Sequence, residues 1–299
     1  MPEDFPPIVP PPLRPGDRIA VIAPSSPFDR THVLRGLGWL GERYRVTFDP
    51  SLFEREGYLA GSDERRLGEL DRFLRDRSVA AIVAVRGGYG LTRIAERADF
   101  AALRASPKWL VGFSDVTALH VEALRAGVAS LHAQNVGGLG QGDAHARERF
   151  VQALERPLAA QTYELVCVRP GRARGRLVGG NLSLLAACAA AGRLRLPLGA
   201  ILALEDVTEQ AYRVDRLLTS LLGAGALDGV GGVVIGDFTD CPPSGGVEAH
   251  AVVRERLGAL RVPVAAGLRF GHGAWNEPLT FGVTATLDAD AGRLTVGAG

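Results

Sequence analysis

A hydroxyl, a carboxylate and an imidazole stand in this chain where apolar runs stop. Ser114 follows Trp109-Leu-Val-Gly-Phe113, Glu205 follows Ile201-Leu-Ala-Leu204, and His272 sits between Gly271 and Gly273 after a strand-like run. A strand that ends on a sharp turn and re-enters as a helix lifts one side chain above the sheet edge. It also aims the helix's free N–H groups at whatever that side chain attacks. Ser114 holds that position and is the candidate nucleophile. A serine before a helix also serves as an N-cap, worth about 1 kcal/mol. The context is not Gly-x-Ser-x-Gly, because Val116 occupies the second glycine position.

A serine hydroxyl is a weak nucleophile and needs a base within hydrogen-bond reach. Of six histidines, His32, His145 and His250 lie in polar or helical contexts and read as surface residues. His120 falls six residues beyond Ser114, about 9 Å along a helix axis, too far to serve it. His132 is a weaker candidate at a strand end. His272 is the best placed, because flanking glycines let backbone approach closely while the ring projects. Glu205 closes a buried run, where a carboxylate is costly unless paired. Bonded to imidazole Nδ1–H, it would set the tautomer and stabilise the imidazolium. Its alternative is an acid in a helix first turn beside Asp206. The turn Arg86-Gly-Gly-Tyr-Gly90 also ends a strand, so two turns with N–H groups can build an oxyanion hole.

These residues need a scaffold, and the apolar pattern supplies one. Arg18–Ala23, Tyr44–Phe48, Val79–Val85 and Trp109–Phe113 read as strands, separated by segments of helical spacing. Such alternation implies βαβ units and a parallel sheet covered on both faces, with ligands beyond the carboxyl ends of the strands. The second half is richer in short strands. The expected fold class is therefore α/β: an N-terminal Rossmann-like parallel-sheet domain over residues 1–165, with a Pro-rich arm at 1–12. A linker is expected at 166–175, followed by a smaller, strand-rich C-terminal α/β domain over 176–299.

The ordered set of segments resembles the LD-carboxypeptidase family of serine peptidases, which also includes the microcin C immunity peptidases. The segments are Leu13–Ser25, Tyr58–Arg65, Arg86–Gly90, Gly112–His120, Gly179–Ser183, Leu204–Val207, Tyr212–Arg216 and Gly271–Gly273. The resemblance implies a Ser114–Glu205–His272 triad, with nucleophile and base on different domains and the active site between them. It places the oxyanion donors on the N–H groups of Asp115 and Gly88. Arg86, Gly87 and Tyr89 are the substrate-binding candidates; Arg86 is equally readable as structural. The implied reaction is hydrolysis of the amide between an L-centre and a terminal D-amino acid, such as D-Ala of a murein tetrapeptide in peptidoglycan recycling. The expected assembly is a homodimer without cofactor or metal. Two departures stand out. His132-Ala-Gln-Asn135 replaces the family's usual His-Gly-Pro, and Leu279-Thr-Phe-Gly282 replaces Leu-Pro-Leu-Gly.

Composition narrows the alternatives. The 299 residues are 46% hydrophobic and 22% charged, and 34 basic against 33 acidic side chains give a net charge of +1. That balance offers no basis for binding nucleic acid or a membrane surface. Cys167, Cys188 and Cys241 form neither a disulfide framework nor a metal knuckle. No secretory h-region or long apolar run is evident, so a soluble cytoplasmic protein is expected. Two other functions fit parts of the pattern. A microcin-C-type immunity peptidase would want an aromatic platform in the second domain, where residues 176–260 hold Tyr212 and Phe238 but no Trp. A two-domain binding protein would use the same glycine turns without needing all three polar residues.

Overall fold

A computed structural model describes residues 7–297, and they divide into two compact units that meet in sequence at Pro157 and Leu158. In the first unit the chain order is β1 (Arg18–Ile22), α1 (Arg30–Gly41), β2 (Arg45–Phe48), α2 (Asp63–Arg75) and β3 (Ala81–Ala84). It continues with α3 (Phe100–Ala105), β4 (Trp109–Gly112), α4 (Thr117–Arg125), β5 (Ser130–His132), α5 (Val136–Leu139) and α6 (Ala144–Glu155). The strands pair in parallel in the order β2-β1-β3-β4-β5. In this doubly wound order the winding direction reverses between β1 and β3, which is where such sheets bind ligands. β3 and β4 are buried throughout, as a strand covered on both faces must be.

Local chemistry sets the helix ends. The Asp29 carboxylate accepts from His32 N–H to start α1, and Ser62 Oγ accepts from Arg65 N–H to start α2. α2 carries Asp63 and Glu64 in its first turn and Arg72 and Arg75 in its last, matching the helix dipole at both ends. After Gly90 the expected helix is two short 3₁₀ turns, Leu91–Arg93 and Ala95–Arg97. Residues 1–6 of the Pro-rich arm lie outside the described residues. The remainder runs along the unit: Ile8 bridges Val128 in parallel, and the Pro11 carbonyl accepts from the Trp109 indole.

The second unit holds β6 (Gln161–Glu164), β7 (Val166–Arg169), β8 (Arg172–Asn181), α7 (Leu182–Ala190), β9 (Ile201–Val207), α8 (Ala211–Gly223) and β10 (Gly232–Thr239). After these come α9 (Ala249–Gly258), β11 (Val264–Ala266), β12 (Leu279–Phe281), β13 (Thr284–Asp288) and β14 (Arg293–Val296). One eight-stranded mixed sheet runs β6-β14-β13-β8-β9-β10-β11-β7. Its centre, β8-β9-β10-β11, is parallel, and the flanking strands are antiparallel.

The expected linker at 166–175 is not one. β7 lies antiparallel to β11, and Arg172–Arg176 pairs with β13. The charged, Gly-containing stretch read as a break because its backbone partners lie about a hundred residues away, where no local pattern reveals them. Among the described residues no helix is long and apolar enough to cross a membrane.

Candidate active site

Ser114 is held in a conformation that serine avoids. Its φ is +66°, in the left-handed region where an L side chain crowds its own carbonyl. It follows the extended Phe113 and opens a 3₁₀ turn that runs into α4. Neither the 3₁₀ turn nor α4 has a side-chain cap, so the hydroxyl is not doing the work of an N-cap. Strain of order 1–3 kcal/mol with no capping bond to offset it marks a side chain held in place for another purpose.

Glycines make room for this elbow. Gly112 precedes it at φ +151°, and a Cβ there would stand 2.7 Å from Asn135 Oδ1 and 2.9 Å from Val116. Asn135 Oδ1 accepts from Phe113 N–H at 3.4 Å, so the unusual His-Ala-Gln-Asn segment secures the elbow's backbone. The His132 ring is buried and meets Phe113 edge-on at 5.8 Å. A Cβ at Gly87 would lie 2.7 Å from Ser114 Cβ and 3.0 Å from its Oγ, which puts the Arg86–Gly90 turn directly against the hydroxyl. Gly88 adopts φ +108° and leaves no room for a side chain beside Ser26, whose Oγ accepts from Tyr89 N–H at 3.0 Å. The buried Asp115 carboxylate accepts from Leu91 N–H at 2.9 Å, tying elbow to turn, and burial pushes it up to about 6.

Beneath the turn lies a buried charge cluster. The Arg66 guanidinium donates to the carbonyls of Pro24 at 2.6 Å and Gly90 at 2.9 Å and pairs with Asp63. Glu69 accepts from Ala23 N–H and pairs with Arg65, and burial pushes it up to about 7. The Tyr58–Arg65 segment and the residues after it thus clamp the ends of β1 and β3 together. The exposed Arg86 donates to the Pro27 carbonyl, so at least one of its N–H groups has a structural partner. Tyr89 and Tyr58 are both exposed beside the turn, with ring centroids 5.9 Å apart. His120 has a structural place: its ring is buried, bonded to Ser130 Oγ and to the Gly112 carbonyl at 2.9 Å each.

In the second unit Glu205 and His272 are in contact. Glu205 Oε2 lies 2.7 Å from His272 Nδ1, with the carboxylate fully buried and the ring 18% exposed. Burial raises the Glu205 carboxyl, while the bond to His272 opposes it. A carboxylate at Nδ1 puts the ring proton there and leaves the imidazole's lone pair on Nε2. Glu205 is in the middle of β9, not in a helix turn, so the helix-acid alternative fails. The next residue, Asp206, has other partners around the start of α7. There it accepts from Asn181 Nδ2, Ser183 N–H, Ser183 Oγ and Val207 N–H, which makes it a brace for β8 and α7.

Glycine again decides the fit. A Cβ at Gly271 would stand 2.4 Å from Glu205 Oε2, and one at Gly179 would stand 1.9 Å from the Ala203 carbonyl. Gly271 N–H donates to Asn276 Oδ1 and Glu277 N–H to the Arg269 carbonyl, closing the loop that presents His272. Asn276 went unnoticed in the sequence, since an amide in a polar loop carries no local signature, and Asn135 stood out only as part of a departure from the family pattern.

Comparison with known proteins matches both halves to one family. Residues 19–133 match the N-terminal domain of the LD-carboxypeptidases and residues 174–287 their C-terminal domain. A murein tetrapeptide carboxypeptidase from Pseudomonas aeruginosa is 36% identical over 290 residues, covering 91% of this chain and 94% of its own. The crystal structure of a muramoyltetrapeptide carboxypeptidase from Oxalobacter formigenes superposes with a TM-score of 0.85 at 30% identity, over 94% of this chain and 99% of that one. An MccF-like protein from Bacillus anthracis, MccF being a microcin C7 self-immunity protein, has a TM-score of 0.86 at 22% identity. It covers 98% of this chain and all of its own, a likeness of fold alone.

Proposed function

Because this chain belongs to the LD-carboxypeptidase family, we propose that it removes the terminal D-amino acid from a murein tetrapeptide, with Ser114 as nucleophile. His272 Nε2 takes the hydroxyl proton as Oγ attacks the carbonyl of the L-centre. Glu205 stabilises the imidazolium that forms. The N–H groups of Gly88 and Asp115 receive the oxyanion, a role in which a single donor is worth about 3–4 kcal/mol. His272 then protonates the leaving amine, and water repeats the sequence to release the acyl group.

The observation that supports this most is the 2.7 Å contact between a fully buried Glu205 and His272. A buried carboxylate with an imidazole at one oxygen is what a serine's base requires. The strained Ser114, lacking any capping duty, supports the other half. The substrate follows from the two relatives named for tetrapeptide cleavage. The microcin-type alternative has fold likeness only.

The test is mass spectrometry of a murein tetrapeptide incubated with the protein, beside an aminoacyl sulfamoyl adenosine. Loss of the terminal D-Ala in the wild type, absent in Ser114→Ala, is the expected result. Turnover of the nucleoside alone would transfer the protein to the other activity. We assign it to the cytoplasm, where free Cys167, Cys188 and Cys241 stay reduced. We propose a homodimeric assembly, which the family resemblance supports and light scattering would check.

A further inference from the structure

α2 carries a cation where its apolar stripe should begin. Its buried positions are Arg66, Glu69, Leu70, Phe73 and Leu74, and Arg66 is fully enclosed in spite of its charge. The spacing 66, 70, 73 marks one face of a helix, where an aliphatic side chain packs without penalty. A buried guanidinium is costly to desolvate, and replacing a buried ion pair by apolar side chains is often neutral or stabilising. Stability therefore does not account for Arg66. Its contacts do. Nη1 donates to the carbonyl of Pro24, just beyond β1, at 2.6 Å and to that of Gly90, which ends the turn after β3, at 2.9 Å. Nη2 pairs with Asp63, which Arg93 also holds.

The two carbonyls belong to the chain segments that leave β1 and β3, the pair of strands at the switch point. One guanidinium nitrogen spans them. Gly90 has φ +136°, and a Cβ there would stand 2.6 Å from Nη1, so the glycine and the guanidinium are fitted to each other. Nearer β3, the same turn packs on the nucleophile through Gly87. Between these fixed points, Gly88 N–H donates to no acceptor among the described residues, which leaves it free to meet an oxyanion. Arg66 also acts on the elbow. Burial raises the Asp115 carboxyl, and Ser25, Leu91 N–H and the Arg66 charge oppose that rise.

We propose that Arg66 is a positioning residue for the reaction: its guanidinium fixes the end of β1 to the Arg86–Gly90 turn and so holds Gly88 N–H where the oxyanion forms. This rests on Ser114 being the nucleophile, as proposed above. Fully enclosed, Arg66 cannot touch substrate, and it acts through the backbone of the turn. An apolar side chain in its place would fill the space but release Gly90, whose carbonyl would keep only the Arg93 N–H. Asp63 would keep Arg93, so no carboxylate is orphaned. A donor displaced by about 1 Å from the developing charge loses what its preorganisation supplied. Contacts to the bound substrate change little, because the oxyanion exists only as the reaction proceeds.

The rate at which a fluorophosphonate labels Ser114 reads this without any peptide. Oγ attacks phosphorus, fluoride leaves, and the phosphoryl oxygen takes the oxyanion position. Arg66→Met should slow labelling about 10–100-fold. Arg66→Lys keeps the charge without the planar fork and should fall between that variant and wild type. The control is Lys108→Met. Lys108 is also a fully enclosed cation, donating to the carbonyls of Phe73, Leu74 and Asp76 at the C-terminal end of α2, and it enters β4 at the end remote from Ser114. Its loss should lower the melting temperature yet leave labelling within twofold. On the tetrapeptide, Arg66→Met should lower kcat by the same factor as labelling, with KM within twofold. Labelling of Arg66→Met within threefold of wild type would overturn the proposal. An equal loss in Lys108→Met would also overturn it, by assigning the effect to general loosening. If Arg66→Met does not fold, Arg66→Lys decides, and labelling at the wild-type rate refutes the role. Wild type that labels but leaves the tetrapeptide intact would sink the substrate reading alone, and the labelling rates would still judge Arg66. Wild type that does not label removes the nucleophile and this proposal with it.

Discussion

Replacing Gly271 with alanine tests the carboxylate–imidazole couple without touching either member. The added methyl would sit 2.4 Å from Glu205 Oε2 and 2.8 Å from its Cβ and Cδ, whereas ordinary contact begins at 3.4 Å. Going from 2.4 to 3.4 Å requires about 1 Å of movement, and Glu205 is fully buried. Misplacing a catalytic constellation by that distance costs about 10²-fold in rate. Gly271 also adopts φ +113°, so the alanine adds backbone strain of about 1–3 kcal/mol whatever the space. Gly267→Ala separates the two effects, since Gly267 has φ +93° with nothing within 4 Å of a Cβ. Both variants should melt earlier than wild type, but only Gly271→Ala should lose about a hundredfold in kcat on the tetrapeptide. Gly271→Ala turning over within threefold of wild type, or Gly267→Ala losing as much, would refute the dependence on this contact.

Ser114→Ala should lower kcat by about 10⁴–10⁶ with circular dichroism unchanged. Ser114→Gly should be equally inactive yet survive thermal melting better than the alanine variant by about 1 kcal/mol, because glycine accepts φ +66° without penalty. Gly87→Ala puts a methyl 2.7 Å from Ser114 Cβ and 3.0 Å from its Oγ and should cost about 10²-fold in kcat together with a lowered melting temperature. His120 is held near 4 instead of 6.5 by burial, so between those values the unfolded chain binds a proton that the native ring refuses. Its contribution, up to about 3 kcal/mol, is present above about pH 6.5 and is lost as pH falls toward 4. Urea unfolding of wild type and His120→Gln across that range should show a shallower acid slope in the variant.

Much of this protein was legible one residue at a time. The apolar runs before Ser114 and Glu205 mark buried parallel strands, because only strands covered on both faces stay apolar without alternation. The glycines around positions 87, 112 and 271 signalled close approaches, and a Cβ at each would collide with a neighbour. Sequence order and residue type were enough to select Ser114, Glu205 and His272 and the family pattern that contains them.

Tertiary structure decided what depends on partners distant in the chain. Glu205 and Asp206 are equivalent in composition and burial. Asn181 and Ser183 take up Asp206, and only the loop carrying His272 determines which of the two acids meets an imidazole. Residues 166–175 read as a linker until β11 and β13 supplied their hydrogen bonds. Local sequence determines what a backbone segment can be, whereas a site is a set of side chains brought together by strand register, and register is a property of the whole sheet.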